Sequence, residues 1–317
     1  MTQFAETELI LTKENRVYHI NLLADDVADD VIVVGDQHRV AQISSHFSKI
    51  EFKTEHREFV THTGLYNGKR VTVLSTGIGT DNIDIVMNEL DACVNIDFET
   101  RTVKPQLTSL NIIRMGTSGS LQADIPVDSL VASSYGIGLD NVLHYYRLEN
   151  SPHEQELCQA FVQHVELRDT NIVPYTAKGS ADLLAHFNDG YHHGITVTCP
   201  GFYAPQGRVV RANLQFPELV NKLSSFQFET HRITNFEMET SAIFGLGKIF
   251  GHRCLALNTI VANRISKTFT KDGKKSKKGK KGAVADAQQP EGFVVMPYKS
   301  QVVGPNLVFI EGGRFTM

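Results

Sequence analysis

No apolar run in this 317-residue chain is long enough to span a bilayer. The opening stretch "MTQFAETELI" lacks the basic start and apolar middle of a secretory signal. Cysteine is sparse, and the four present, at positions 93, 158, 199 and 254, form neither a CxxC pair nor a zinc-like spacing. They read as reduced thiols, and the expected compartment is the cytoplasm. Neither an internal repeat of fixed period nor a Pro- or Ser-rich linker divides the chain, so one domain over residues 1–317 is expected. A net charge of −4 gives no global pull toward nucleic acid or an anionic membrane, and neither is an expected partner.

Composition breaks at "KDGKKSKKGKKG", residues 271–282. Glycine and lysine at that density bury almost nothing and repel one another, and the run has no aromatic residue on which a base could stack. A flexible surface loop is expected there, followed by an atypical C-terminal segment over residues 283–317.

Over the whole chain, hydrophobic residues at 41% and charged residues at 21% suffice for a substantial core. "DVIVVGDQHRVAQISSHF" reads as strand, turn and helix start, and "RVTVLSTGIGTDNIDIVMNEL" repeats that grammar; "LNIIRMGTSGS" supplies a strand and a turn. Apolar strands alternating with helices predict a single α/β domain whose central mixed, mainly parallel sheet is flanked by helices. Ligands of such sheets collect at the carboxyl ends of the strands, where these turns fall.

Gly35 lets the backbone come close to a ligand, and Arg39 follows one helical turn later, although a tight turn with a solvated arginine fits that stretch as well. Arg114 closes an apolar strand ahead of Gly116, Thr117, Ser118 and Gly119, a setting suited to a phosphate dianion. Arg57, in "TEHREFVTHTG", says little alone. Three arginines near glycine or polar turns, without a Walker-type lysine motif, point to a small phosphate and away from a triphosphate cradle. The stretch "NFEMET" sets Glu237 and Glu239 just ahead of the apolar run "SAIFGLGKIF". Such carboxylates can do acid/base work, hold two adjacent hydroxyls, or cap a helix.

Taken together, "VVGDQHRV", "HREFVTHTG", "VLSTGIGTDNIDIVMNEL", "IIRMGTSGSL" and "NFEMETSAIFGLGKIFGHRCLALNTIVANR" resemble, in order, the nucleoside phosphorylase family of the trimeric and hexameric type, with the uridine phosphorylases nearest. The resemblance runs from about Tyr18 to Arg264. It implies reversible phosphorolysis of a nucleoside, with inorganic phosphate as co-substrate and no organic cofactor. Gly35, Arg39, Arg114 and Thr117 are then expected to hold phosphate, with Arg57 reaching in from a neighbouring subunit. Met238 and Glu239 are expected to line the ribose, and His19, in "VYHINL", to serve the 5′ side of a neighbour's sugar. In "GFYAPQGRVVR", Gln206 and Arg208 match the pair that reads uracil, Phe202 can stack on the base, and Gly119 belongs to the same base pocket. Arg114, Glu239 and Arg208 are the catalytic expectation. Purine-specific relatives carry an aspartate where this chain reads "IVANR", so Asn263 and Arg264 favour a pyrimidine.

The resemblance also implies a homodimer or a homohexamer built as a trimer of dimers, and a monovalent cation, K+, at a dimer interface. Glu58 and the Ile78 backbone match that cation site, while Asn82 stands where a serine is usual. Residues after Arg264 do not match the amphipathic helix that usually closes the fold. A purine nucleoside phosphorylase, a nucleosidase using water, and a non-catalytic storage or binding protein on the same scaffold are the alternatives. Intact arginines at 39, 57 and 114 argue against the last two.

Overall fold

The computed structural model describes residues 3–270 and, beyond them, the strands Phe293–Pro297 and Asn306–Ile310. The chain runs β1 (Asp30–Val34), α1 (His38–Ser44), β2 (Lys49–His56), β3 (Phe59–Tyr66), β4 (Lys69–Ser75) and α2 (Thr80–Asn95). The short pair β5 (Ile96–Asp97) and β6 (Thr102–Val103) precedes β7 (Asn111–Ser120), β8 (Leu130–Gly138), α3 (Pro152–Val165), β9 (Tyr175–Lys178) and α4 (Ala181–Leu184). Then follow β10 (Tyr191–Thr198), α5 (Leu219–Ser225), β11 (Gln227–Phe228), β12 (His231–Glu237), α6 (Thr240–Phe250), β13 (Arg253–Asn263) and β14 (Thr268–Phe269). Phe293–Pro297 (β15) and Asn306–Ile310 (β16) pair antiparallel with each other, and the Lys-rich run 271–282 lies outside the described residues.

Local sequence decides the strand types. In β1, "DVIVV" is buried from Val31 onward, as a strand covered on both faces requires, and it pairs in parallel with β4 and β7. In β2, "KIEFKTEH" alternates exposed and half-buried residues, and its charges suit the sheet edge it occupies. The sheet order is β11-β12-β10-β8-β13-β7-β1-β4-β3-β2, and an added β12–β7 pairing closes β7, β13, β8, β10 and β12 into a ring. Register shifts at Gly194/Ile195, Ile195/Thr196 and Ile260/Ala262 supply bends in that ring.

One expectation fails here. Gly116, Thr117, Ser118 and Gly119 form no turn after Arg114; β7 runs through them to Ser120. Their backbone is claimed by β13, which pairs from Asn111 to Ser120, and by β12, which pairs with Gly119 and Ser120. Neighbouring strands override the local turn signal.

Helix α6 is buried without a gap from Thr240 to Gly247, and it packs on α2, β8, β9, β10 and β13. The Lys248 ammonium anchors it to α3, lying 2.8 and 3.0 Å from the buried Glu154 carboxylate. Glu154 also completes a capping box with Ser151 at the start of α3. Burial tends to raise the Glu154 carboxyl, but Lys248 and Ser151 win and hold it below its ordinary 4.5. Stability from a depressed carboxylate is present above its ordinary value and is lost as pH falls through the folded value. Lys248→Met is therefore expected to lower unfolding free energy by about 1–3 kcal/mol at pH 7. In urea titrations against the parent chain, that difference should shrink toward zero as pH falls below the 4.5 of an ordinary glutamate.

Among the described residues no helix is long and apolar enough to cross a membrane.

Candidate functional site

A cavity of about 830 Å³ opens where the strand ends converge. Gly35 and Arg39 follow β1, Gly77, Ile78 and Asn82 follow β4, and Arg114, Thr117, Ser118 and Gly119 come from β7 itself. The loop after β10 brings Phe202, Gln206 and Arg208; the end of β12 brings Phe236 to Glu239; β13 brings Val261 and Ala262. Its size suits a ligand of several hundred daltons.

Arg114 is 6% exposed and sits between two carboxylates. Its Nη2 donates to Glu239 Oε2 and lies 3.1 Å from Glu237 Oε2, while Nη1 donates to Asn258 Oδ1 at 2.6 Å. Gly116 makes room for that posture: a Cβ there would lie 1.6 Å from Arg114 Nη1. Burial works against the guanidinium charge, and the two carboxylates outweigh it, so Arg114 holds its proton more firmly than usual. Arg39 approaches from α1 and donates through Nη1 to Met115 O at 2.9 Å.

The two glutamates of "NFEMET" have different duties. Glu237 ends β12 and accepts the N–H of Glu239 at 2.9 Å, the N–H of Thr240 at 3.0 Å and the Thr198 hydroxyl at 2.8 Å. It is the helix-capping carboxylate, satisfying amides at the start of α6. Burial pushes its carboxyl up despite the pull of Arg114. Glu239 is the residue just before α6 and borders the cavity, where its Oε1 accepts the Gly79 N–H at 2.8 Å. Gly79, at φ 95°, aims that amide from just ahead of α2 with a backbone angle that suits glycine. Each carboxylate oxygen has two lone pairs, so Glu239 keeps acceptor capacity toward the cavity.

At the other end, Gln206 is 4% exposed and its Oε1 accepts from Arg208 Nη1 at 2.5 Å. The same guanidinium donates to Phe202 O at 2.6 Å and lies 3.7 Å from the centre of the Phe202 ring. One face of Phe202 is thus already covered by Arg208. Burial, then the nearby Arg264 charge, lowers the Arg208 proton affinity, which marks this end as electropositive.

Arg264 has a role that sequence reading missed: it donates to Gln206 O at 2.7 Å and Gly207 O at 3.3 Å, clamping the loop from below. Phe236 was missed as well; it is buried, faces Gly119 and lies under both guanidiniums. Its only sequence signal was its place in "NFEMET". Asn263 is turned into the fold, donating to Gln122 O and Ile125 O at 2.8 and 2.9 Å.

His19 and Arg57 are absent from the cavity wall of their own chain and lie together elsewhere. Arg57 Nη2 donates to the Tyr18 hydroxyl at 3.4 Å, and His56 Nδ1 donates to His19 O at 2.8 Å. Glu58, Ile78 and Asn82 do reach the cavity, gathered around Gly77; a Cβ on Gly77 would lie 2.2 Å from Asn82 Nδ2 and 3.2 Å from Glu58 Cγ. Carboxylate and carbonyl oxygens of this kind suit a monovalent cation, while the Asn82 amide nitrogen facing Gly77 does not.

Residues 29–286 match the family described as the phosphorylase superfamily. The uridine phosphorylase of Thermococcus kodakarensis is 30% identical over 273 residues, covering 86% of this chain and 87% of its own. The uridine phosphorylase of Escherichia coli is 28% identical over 258 residues, covering 78% of this chain and 86% of its own. Among solved structures, the Trypanosoma brucei nucleoside phosphorylase, which shows uridine phosphorylase activity, superposes with a TM-score of 0.77 at 32% identity, covering 83% of this chain and 94% of that one.

Proposed function

This chain belongs to the phosphorylase superfamily, and on that premise we propose that it catalyses the reversible phosphorolysis of uridine to uracil and ribose 1-phosphate. The observation that carries the reading is one cavity with two unlike ends. Arg39 and Arg114 supply cations at one end, with Glu239 held against Arg114, and Gln206 and Arg208 supply planar donors and an amide at the other; Met238 borders the same cavity.

In this reading a phosphate oxygen, held by Arg39, Arg114, Thr117 and the Gly35 backbone, attacks the anomeric carbon. The C1′–N1 bond breaks and its electron pair passes to the base. Positive charge on the sugar is offset by the bound phosphate, and negative charge on uracil by Arg208 and Gln206. Glu239 accepts hydrogen bonds from the 2′- and 3′-hydroxyls, which places the anomeric carbon against the nucleophile. No organic cofactor enters these steps. His19 and Arg57 complete a neighbouring subunit's site, so the working unit is a homodimer or a trimer of dimers. A K+ ion held between subunits by oxygens of Glu58, Asn82 and the Ile78 backbone, with the Asn82 amide turned to offer its Oδ1, belongs to the same reading.

Free base released from uridine, thymidine, inosine and AMP, each with and without inorganic phosphate, tests it. Uracil release that depends on phosphate is the expected result. Release from uridine without phosphate would make the chain a nucleosidase and overturn the phosphate roles of Arg39 and Arg114; release from inosine alone would make it a purine enzyme and overturn the roles of Gln206 and Arg208.

A further inference from the structure

Glu89, on α2, devotes its carboxylate to one short segment. The His19 N–H lies 3.0 and 2.9 Å from its two oxygens, Oε2 accepts the Ile20 N–H at 2.7 Å, and Oε1 lies 2.6 Å from His19 Nδ1. The Tyr18 ring meets the imidazole edge-on at 4.9 Å, and His56 holds the His19 carbonyl. Among the described residues Nε2 of His19 has no hydrogen-bond partner, and the side chain keeps 27% of its surface open.

We propose that Glu89 is a positioning residue that fixes the ring nitrogen His19 offers to a neighbouring subunit's sugar. This rests on the uridine phosphorolysis reading. A carboxylate can only accept, so the proton of a neutral imidazole stays on Nδ1 and Nε2 presents its lone pair. A 5′-hydroxyl can then donate to Nε2. The two backbone contacts stop the segment from turning the ring away. Without Glu89 both tautomers and several ring orientations become accessible, and the contact with the 5′-hydroxyl weakens.

The test uses the assembled enzyme with uridine and 5′-deoxyuridine, which differ only in the hydroxyl concerned, and reads the ratio of the two kcat/KM values. Glu89→Gln keeps the size of the side chain and one oxygen but loses the charge. It is expected to lower that ratio about tenfold, the weight of one charge-assisted hydrogen bond. The double variant with His19→Asn should show no further fall beyond His19→Asn alone. A ratio unchanged in Glu89→Gln, whatever the absolute rates, would overturn the proposal and leave Glu89 as a brace for the segment; additive losses in the double variant would do the same. A parent chain that consumes neither nucleoside in phosphate would overturn the uridine reading, and this inference with it.

Discussion

Arg114→Ala is expected to remove phosphate-dependent turnover and to weaken the fold in the same step. The first effect follows from taking away the buried cation at the end of the cavity assigned to phosphate. Losing one such preorganised donor costs about two to three orders of magnitude in kcat, more where it carries a full charge. The second effect follows from its partners, because Glu237 and Glu239 are 4% and 5% exposed and would be left facing each other without a cation. Breaking a buried pair from one side costs about 3–5 kcal/mol. Part of that cost is recovered when Glu237, already raised by burial, takes up a proton. A carboxyl raised in the folded state favours folding at low pH and loses that contribution as pH rises through its folded value. The deficit in urea unfolding should therefore be larger at pH 8 than at pH 5. Full turnover in the variant would remove the phosphate assignment, and a stability deficit that does not vary with pH would place the strain elsewhere.

Gln206→Ala is expected to cut kcat/KM for uridine by about ten- to a hundredfold while leaving the KM for phosphate within a factor of about two. The alanine removes an amide that can face a pyrimidine edge and also leaves Arg208 Nη1 without its 2.5 Å acceptor. Gln206→Glu separates those effects. It preserves the partner of Arg208, even strengthening it, but replaces an N–H donor with an acceptor. If the amide reads the base, Glu is as damaging as Ala; if Gln206 only braces Arg208, Glu restores activity. Equal loss of uridine and phosphate affinity in both variants would point to a collapsed loop.

Both expectations show how far the sequence could be read. The runs β1–α1 and β4–α2 were legible because an apolar strand, a glycine turn and a helix start are local signals, settled within about ten residues. The course of β7 past Arg114 was not, since its backbone is claimed by β12 and β13, which lie more than a hundred residues later in the chain. For the same reason Arg114 reads from sequence as a strand-end residue whose loss would spare the fold, while the structure surrounds it with Glu237, Glu239 and Asn258. The glutamates of "NFEMET" are chemically identical, and only the backbone decides which one faces the amides of α6 and which the cavity. His19 and Arg57 carried no local signal at all; resemblance alone singled them out. Arg264 was noticed for what it is not, an aspartate, and its grip on the Gln206 loop needed coordinates.

The space at Gly116 reaches beyond this one molecule. Because a Cβ there would coincide with the guanidinium of Arg114, the two positions are tied in sequence as well as in space. No substitution at 116 is compatible with the arginine in its present pose, so any side chain there displaces the guanidinium. Once a larger residue has settled there, restoring Arg114 by one change no longer restores the site. In a diverged relative, the residue at 116 is then a quick indicator of whether the arginine at 114 can still lie where it does here.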